Sequence, residues 1–293
     1  MGRKLALLAS LTAVLALGAG ASPAGAITGN YSDDNVHTYV ALIAFYDKDD
    51  AFTHRCSGSL ITPSVFLTAG HCTDASTGAT HARLWFQQDA GVGFDGTNPA
   101  PSGYPVSSDV TSHQLYNFGF SDDLPLPNLH DVGLVILDKP ITIGDEGYAG
   151  GLASIASVGS LDRLAKQRGQ QDVTFTASGY GLSYSNPVKT VSFRKRLMAT
   201  EQLINLRSHL TDGFNIQTTA NPGNGKGGTC GGDSGGPLLY DSTNTIVAVN
   251  SFGLNQWCRG NDFMYRVDQA AVQSWIRATI GEVQWSLVRV ANL

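Results

Sequence analysis

Charged residues are scarce in this sequence: Asp, Glu, Lys and Arg make up 15% of its 293 residues, against about 25% in ordinary soluble domains. Hydrophobic residues make up 42%, so the body is not disordered, a state that needs few apolar residues and much charge. Positive charge is not in excess. The formal net charge of −5 argues against an electrostatic nucleic-acid binder, and the one basic cluster, Arg194-Lys195-Arg196, reads as a solvated strand face. The four cysteines, Cys56, Cys72, Cys230 and Cys258, form no C-x-x-C pair, so a zinc site is not expected. No run approaches the roughly 20 apolar residues needed to span a membrane. Repeats of solenoid period are missing and helical periodicity is sparse.

What is present begins with a leader. Arg3 and Lys4 precede a 13-residue apolar stretch, Leu5 to Leu17, interrupted only by Ser10 and Thr12, and Ala24-Gly25-Ala26 offers a small-residue cleavage site. Residues 1–26 therefore read as a secretory signal peptide, which makes the protein extracellular and free of the membrane once processed. An even number of cysteines in an exported chain implies disulfides, and four cysteines allow three connectivities.

Beyond the leader, short β-rich runs recur: Tyr39–Tyr46, Ser59–Leu67, Leu84–Gln87, Val132–Leu137, Val173–Ala177, Thr190–Met198, Pro237–Tyr240 and Ile246–Ser251. Gly, Pro, Asn and Asp separate them, as in an all-β sandwich or barrel. One helix is expected near the end, capped by Asp268, with Val272, Trp275, Ile276 and Ile280 as its apolar stripe. A second is suggested around Ser160–Arg168. From Asp89 to Asn128 the chain is loop-like and carries five prolines, the composition of an insertion over a binding cleft.

Chemistry concentrates in three segments. Cys230-Gly231-Gly232-Asp233-Ser234-Gly235-Gly236-Pro237 surrounds one serine with four glycines, so its backbone can aim several N–H groups at one point. Serine is a poor nucleophile unless a base takes its proton. His71, in Thr68-Ala69-Gly70-His71-Cys72, is a candidate base, and Asp131, in His130-Asp131-Val132-Gly133, a carboxylate able to orient it. Each piece alone is open to a structural explanation, as a turn, a structural histidine or a strand opening. Together they form a constellation. Gly232-Asp233-Ser234-Gly235-Gly236 also matches the G-x-S-x-G elbow of esterases. That elbow needs a helix after it and a histidine following the serine in the chain, whereas Pro237 and a β-like run follow here.

In the order His71, Asp131, Ser234 the three segments resemble the signatures of chymotrypsin-like (trypsin family) serine proteases. Cys56-Ser57-Gly58-Ser59-Leu60-Ile61 is similar to the family strand leading to the histidine. Ser178-Gly179-Tyr180-Gly181 resembles its Gly-Trp-Gly turn, and Ser251-Phe252-Gly253 its substrate-pairing strand. The likeness runs from about Ile27 to Ile280 and suggests a secreted, bacterial-type member. It implies an all-β fold of two antiparallel β-barrels, about 27–150 and 151–280, with a C-terminal helix and a tail at 281–293.

The resemblance also implies roles. Cys56 would pair with Cys72 and Cys230 with Cys258, each bridge contributing about 2–4 kcal/mol in a chain-entropy account. Ser234 would be the nucleophile, His71 the base, Asp131 its orienting acid, and the Gly232 and Ser234 N–H groups the oxyanion hole. Signal cleavage would free Ile27, whose ammonium would pair with Asp233. Gly228 stands where trypsins carry an Asp at the base of the specificity pocket, which would favour apolar side chains. With Ser251 and Gly253 it would belong to the substrate-binding set. Asp262 either reaches that pocket and supplies a charge or faces solvent, so specificity stays apolar or mixed, with cleavage after Arg or Lys as the alternative. The implied activity is that of a monomeric endopeptidase acting on proteins or peptides without a cofactor, and a catalytically inactive binding homologue is the rival reading.

Overall fold

Every residue of the strand Val40–Tyr46 is buried, the pattern of a strand covered on both faces. In the computed structural model, which describes residues 27–94, 108–141, 151–166 and 172–293, it lies within a seven-stranded antiparallel sheet. Across that sheet the order is Val110–Ser112, His81–Trp85, Val40–Tyr46, Phe52–Leu60, Val65–Thr68, Gly133–Ile136 and Gln114–Asn117. The two edge strands are consecutive in the chain, joined through His113, so the sheet curls back on itself as a barrel.

The second half closes more completely. Pro237–Tyr240, Thr174–Gly179, Leu197–Asn205, Asn215–Thr219, Asn261–Arg266 and Thr245–Gly253 follow one another, and the first pairs again with the last. Ser154–Ala156 then joins Thr245–Gly253 in parallel, and Arg289–Ala291, from the C-terminal tail, joins it in parallel on the other side. The fold is thus mostly strand, two barrel-like sheets with a terminal helix, as the sequence leads one to expect.

Several local expectations are corrected. The run Ser59–Leu67 is not one strand but a turn between Phe52–Leu60 and Val65–Thr68, because Pro63 has no N–H to give a ladder. The loop-like stretch 89–128 contains both edge strands of the first barrel; its residues 95–107 lie outside the described residues, as do the leader, residues 1–26, and Arg168. Ser160–Lys166 is a 3₁₀ helix. The terminal helix runs Ala270–Trp285 with Gln269 at its N-cap and a non-helical Gly281. Val272 and Ile276 are buried, with Trp275 and Ile280 packed beside them. Asp268 does not cap it: both its oxygens are held at 2.8 Å by the buried Arg266 guanidinium, and one also accepts the Leu161 N–H.

The larger apolar cluster crosses the boundary between barrels, joining Phe66 and Leu134 of the first to Val249, Tyr265 and Ile276 of the second. A polar clamp reinforces it. Arg196 is no solvated strand residue; it is 2% exposed. Its Nε donates to the Asp34 carbonyl, and its Nη1 reaches the carbonyls of Val40 at 3.1 Å and Phe86 at 2.9 Å. The rest of the basic cluster is also engaged: the Arg194 guanidinium lies 3.3 Å from the Phe94 ring centre, and Lys195 is 3.4 Å from Asp89. Removing the Arg196 side chain strands the carbonyl acceptors of Asp34, Val40 and Phe86. Arg196→Ala is expected to lower unfolding free energy by about 3–5 kcal/mol, read from urea denaturation.

Candidate active site

Strand register brings the first two candidate residues together. Val65–Thr68 pairs antiparallel with Gly133–Ile136, ending on Thr68 opposite Gly133. The chain leaving Thr68 turns through the 3₁₀ segment Gly70–Cys72, while the chain entering Gly133 carries Asp131, so His71 and Asp131 meet just beyond the paired ends. The His71 Nδ1 lies 2.9 Å from Asp131 Oδ2, and the His71 backbone N–H donates to Asp131 Oδ1 at 2.8 Å. Ser251, at the end of a second-barrel strand, donates its hydroxyl to Asp131 Oδ2 at 2.5 Å. Sequence reading placed Ser251 in the substrate-binding set. The structure gives its side chain the task of holding Asp131.

The electrostatics follow from these contacts. Burial opposes ionisation of Asp131, but the charge and hydrogen bonds of His71 and the Ser251 hydroxyl outweigh it and hold the carboxyl below its usual range. Burial likewise opposes a charged His71, yet the Asp131 carboxylate, with a further contribution from Asp122, lifts its proton affinity above the ordinary histidine value. Asp122 and His71 line the same cleft, of about 380 Å³, together with Asp74, Phe120 and Phe252. Sequence reading missed Asp122; the one signal was its place in the Pro-rich stretch suspected of covering a cleft.

Ser234 sits half-buried in the glycine loop. Its carbonyl accepts the Ser57 N–H at 2.8 Å, with Cys72 Sγ 3.8 Å from the same oxygen, so it abuts the residue after His71. Ser57 does more: its hydroxyl donates to the Gly232 carbonyl and accepts the Tyr180 N–H, both at 2.9 Å. Nothing but its place in the family-like strand marked it in the sequence. Gly232 has φ of 98°, open to glycine and strained for other residues. Among the described residues the N–H groups of Gly232 and Ser234 donate to no backbone carbonyl, which leaves two donors near one serine.

Both disulfides have the implied pairing, Cys56–Cys72 and Cys230–Cys258. Among the described residues the one tight metal-type grouping is Cys56, His71 and Cys72, and its sulfurs are bonded to each other. A cavity of about 260 Å³ opens beside Ser234, lined by Ser251, Phe252, Gly253 and Asp262 among others. Asp262 faces this cavity rather than solvent: it is 4% exposed, and its Oδ2 accepts the Thr229 N–H at 2.6 Å. Gly228 does not line the cavity. A Cβ there would fall 2.5 Å from Ala220 Cα and 2.8 Å from Asp262 Oδ2, so its bareness makes room for the acid.

Ile27 is buried, and Thr28 pairs with Gly228. In the chain that still carries residues 1–26 it offers a peptide nitrogen. Asp233, wholly buried, accepts instead the N–H groups of Gly181 at 2.7 Å and Cys230 at 3.0 Å. No ion pair joins Ile27 and Asp233 among the described residues.

The His71 ring protons are expected to titrate above the ordinary histidine range in NMR spectra. In Asp122→Asn that titration should move to lower pH; an unmoved curve removes Asp122 from the account.

Known proteins resemble the chain over most of its length. Residues 27–276 match the Trypsin family model. Bovine Proproteinase E is 29% identical over 213 residues, 71% of this chain and 76% of its own. Chymotrypsin-like elastase family member 3B of Macaca mulatta is 27% identical over 244 residues, 80% of this chain and 86% of its own. Among solved structures, HL collagenase superposes with a TM-score of 0.62 at 20% identity, covering 87% of this chain and 99% of its own. With its two barrels, its bridged histidine and serine loops and a family match over most of its length, the chain belongs to the trypsin family of serine proteases.

Proposed function

We propose that the protein is a secreted serine endopeptidase that hydrolyses peptide bonds through an acyl-enzyme. The observation that carries this reading is the chain Ser251–Asp131–His71 ending beside the Ser234 loop. With Nδ1 donating to Asp131, Nε2 of His71 is the basic nitrogen. It accepts the Ser234 proton as Oγ attacks the scissile carbonyl and returns it to the leaving amine. Water then repeats the sequence on the ester. The N–H groups of Gly232 and Ser234 receive the oxyanion, each such donor worth roughly 3–4 kcal/mol. The reaction uses only this chain's side chains, its backbone and water, and the protein acts as a monomer on protein or peptide substrates. The leader of residues 1–26 and the two disulfides support an extracellular setting.

For the residue before the scissile bond the reading is mixed: apolar side chains against Phe252, cationic ones toward Asp262. The buried, cavity-lining Asp262 favours adding the cationic class. Its burial raises its proton affinity to about pH 6, against hydrogen bonds from Thr229 that lower it.

Activation follows from Asp233. Burial raises its pKa to about 7, opposed by the Gly181 and Cys230 N–H groups and by Arg55. A cation supplied by a freed Ile27 ammonium would favour its charged form. Without that cation the folded state binds a proton more tightly than the unfolded one, so stability is lost as pH rises from about 4 to about 7.

Two outcomes are expected. Ser234→Ala should lose about 10⁶-fold in kcat and all labelling by a fluorophosphonate while keeping the wild-type melting temperature. An unlabelled, inert wild type would favour the inactive binding homologue. Secreted protein should begin at Ile27 on Edman sequencing, and its melting temperature should fall less between pH 4 and 7 than that of a form retaining Ala26. Equal pH profiles for the two forms exclude the Ile27–Asp233 pair.

A further inference from the structure

Strand Leu197–Asn205 alternates buried and half-buried positions from Leu197 to Leu203, and Glu201 takes an inward one between Ala199 and Leu203. A fully buried glutamate in a series of apolar residues is an exception that needs a partner. One carboxyl oxygen, Oε2, meets the Thr218 hydroxyl. The other, Oε1, is buried with no hydrogen-bond partner. Thr218 stands opposite Asp262 in the neighbouring pair of strands, and residues directly opposed across an antiparallel pair point to the same side. Glu201, Thr218 and Asp262 therefore stand side by side on the inner face of three adjacent strands, the last of them lining the cavity beside Ser234.

Among the described residues no ion pair holds either Glu201 or Asp262. The charges that reach Glu201 are those of Asp262 and Asp233, both negative; after burial they are what push its proton affinity well up, against the Thr218 hydrogen bond. Arg55 acts on Asp233, and the exposed Arg259 lines the cavity. The strand on the other side of Glu201 opposes it with Phe175, which is neutral. Two buried carboxyls on the same inner face, one lining the cavity and neither held in an ion pair among the described residues, are complementary to a cation that arrives with the ligand.

We propose that Glu201 is a specificity-determining residue of the pocket, a second carboxyl behind Asp262 that helps the pair recognise a cationic side chain before the scissile bond and gives up its proton to solvent when that cation binds. The inference rests on the endopeptidase reading of the same pocket.

The test compares two peptides differing only in Arg or Leu before the scissile bond. The ratio of their kcat/KM values cancels the titration of His71 and of the N-terminus. In the wild type this ratio should rise near pH 6 as Asp262 ionises, and again at higher pH as the bound cation draws the proton from Glu201. Glu201→Gln should keep the first rise and the Leu rate, lose the second rise, and fall about tenfold in the alkaline ratio. A Glu201→Gln profile that superimposes on the wild type overturns the inference and leaves the pocket reading standing. An Arg/Leu ratio indifferent to Asp262→Asn overturns the pocket reading itself. Independently of any variant, benzamidine binding to the wild type at pH 8, measured by calorimetry in buffers of different ionisation enthalpy, should release a proton; no release overturns the inference.

Discussion

The groups proposed to react are divided between two barrels, so the proposed chemistry depends on the pose of one barrel against the other. His71 and Asp131 hang from the first, Ser234 and Ser251 from the second, and the hydrogen bond from Ser251 to Asp131 crosses the seam. Ser57 crosses it again, gripping the carbonyls of Gly232 and Ser234 with its hydroxyl and its N–H. A slip of an ångström between barrels would break these contacts together, and geometry of that order is what catalytic positioning requires. The apolar cluster shared by both halves provides cohesion, and the directional bonds of Ser57, Ser251 and Arg196 set the alignment.

Five buried acids show how one scaffold gives the same functional group different protonation states. For Asp34, burial is outweighed by the hydrogen bond and charge of His37 and by Ser178, and its pKa falls to about 2. Asp131 is held ionised by His71 and Ser251. Asp233 and Asp262 receive mainly backbone N–H groups, and burial prevails. Glu201 is buried with one hydroxyl and two acidic neighbours, and its pKa is pushed well above the ordinary carboxyl value. The order tracks the partners each carboxyl finds rather than its depth, since all five are buried.

Much of this was legible in the sequence because its signals are local. The glycine-flanked serine, the histidine after an apolar run and the aspartate before another each announce themselves within eight residues, and the family likeness joins them. Cysteine pairing and barrel architecture came with that likeness. What was not legible depends on groups brought together through space. Asp268 reads as a helix cap until Arg266, two residues away, turns out to occupy both its oxygens. Arg196 reads as surface charge until the carbonyls of Val40 and Phe86 surround it. Glu201 carries no motif, and its meaning lies in Thr218 and Asp262 on other strands. Strands at 110–117 were masked by the prolines on either side.

Arg196 has one more consequence, for divergence. Its partners across the seam are carbonyl oxygens, of Val40 and Phe86, and every amino acid supplies a carbonyl. A clasp that grips the main chain does not itself dictate the side chains at those positions, so within the limits of core packing they can change while the clasp still closes. Mutational drift in this region is therefore limited by the guanidinium and by backbone path, a looser rule than side-chain complementarity and one suited to an architecture shared at 20% identity.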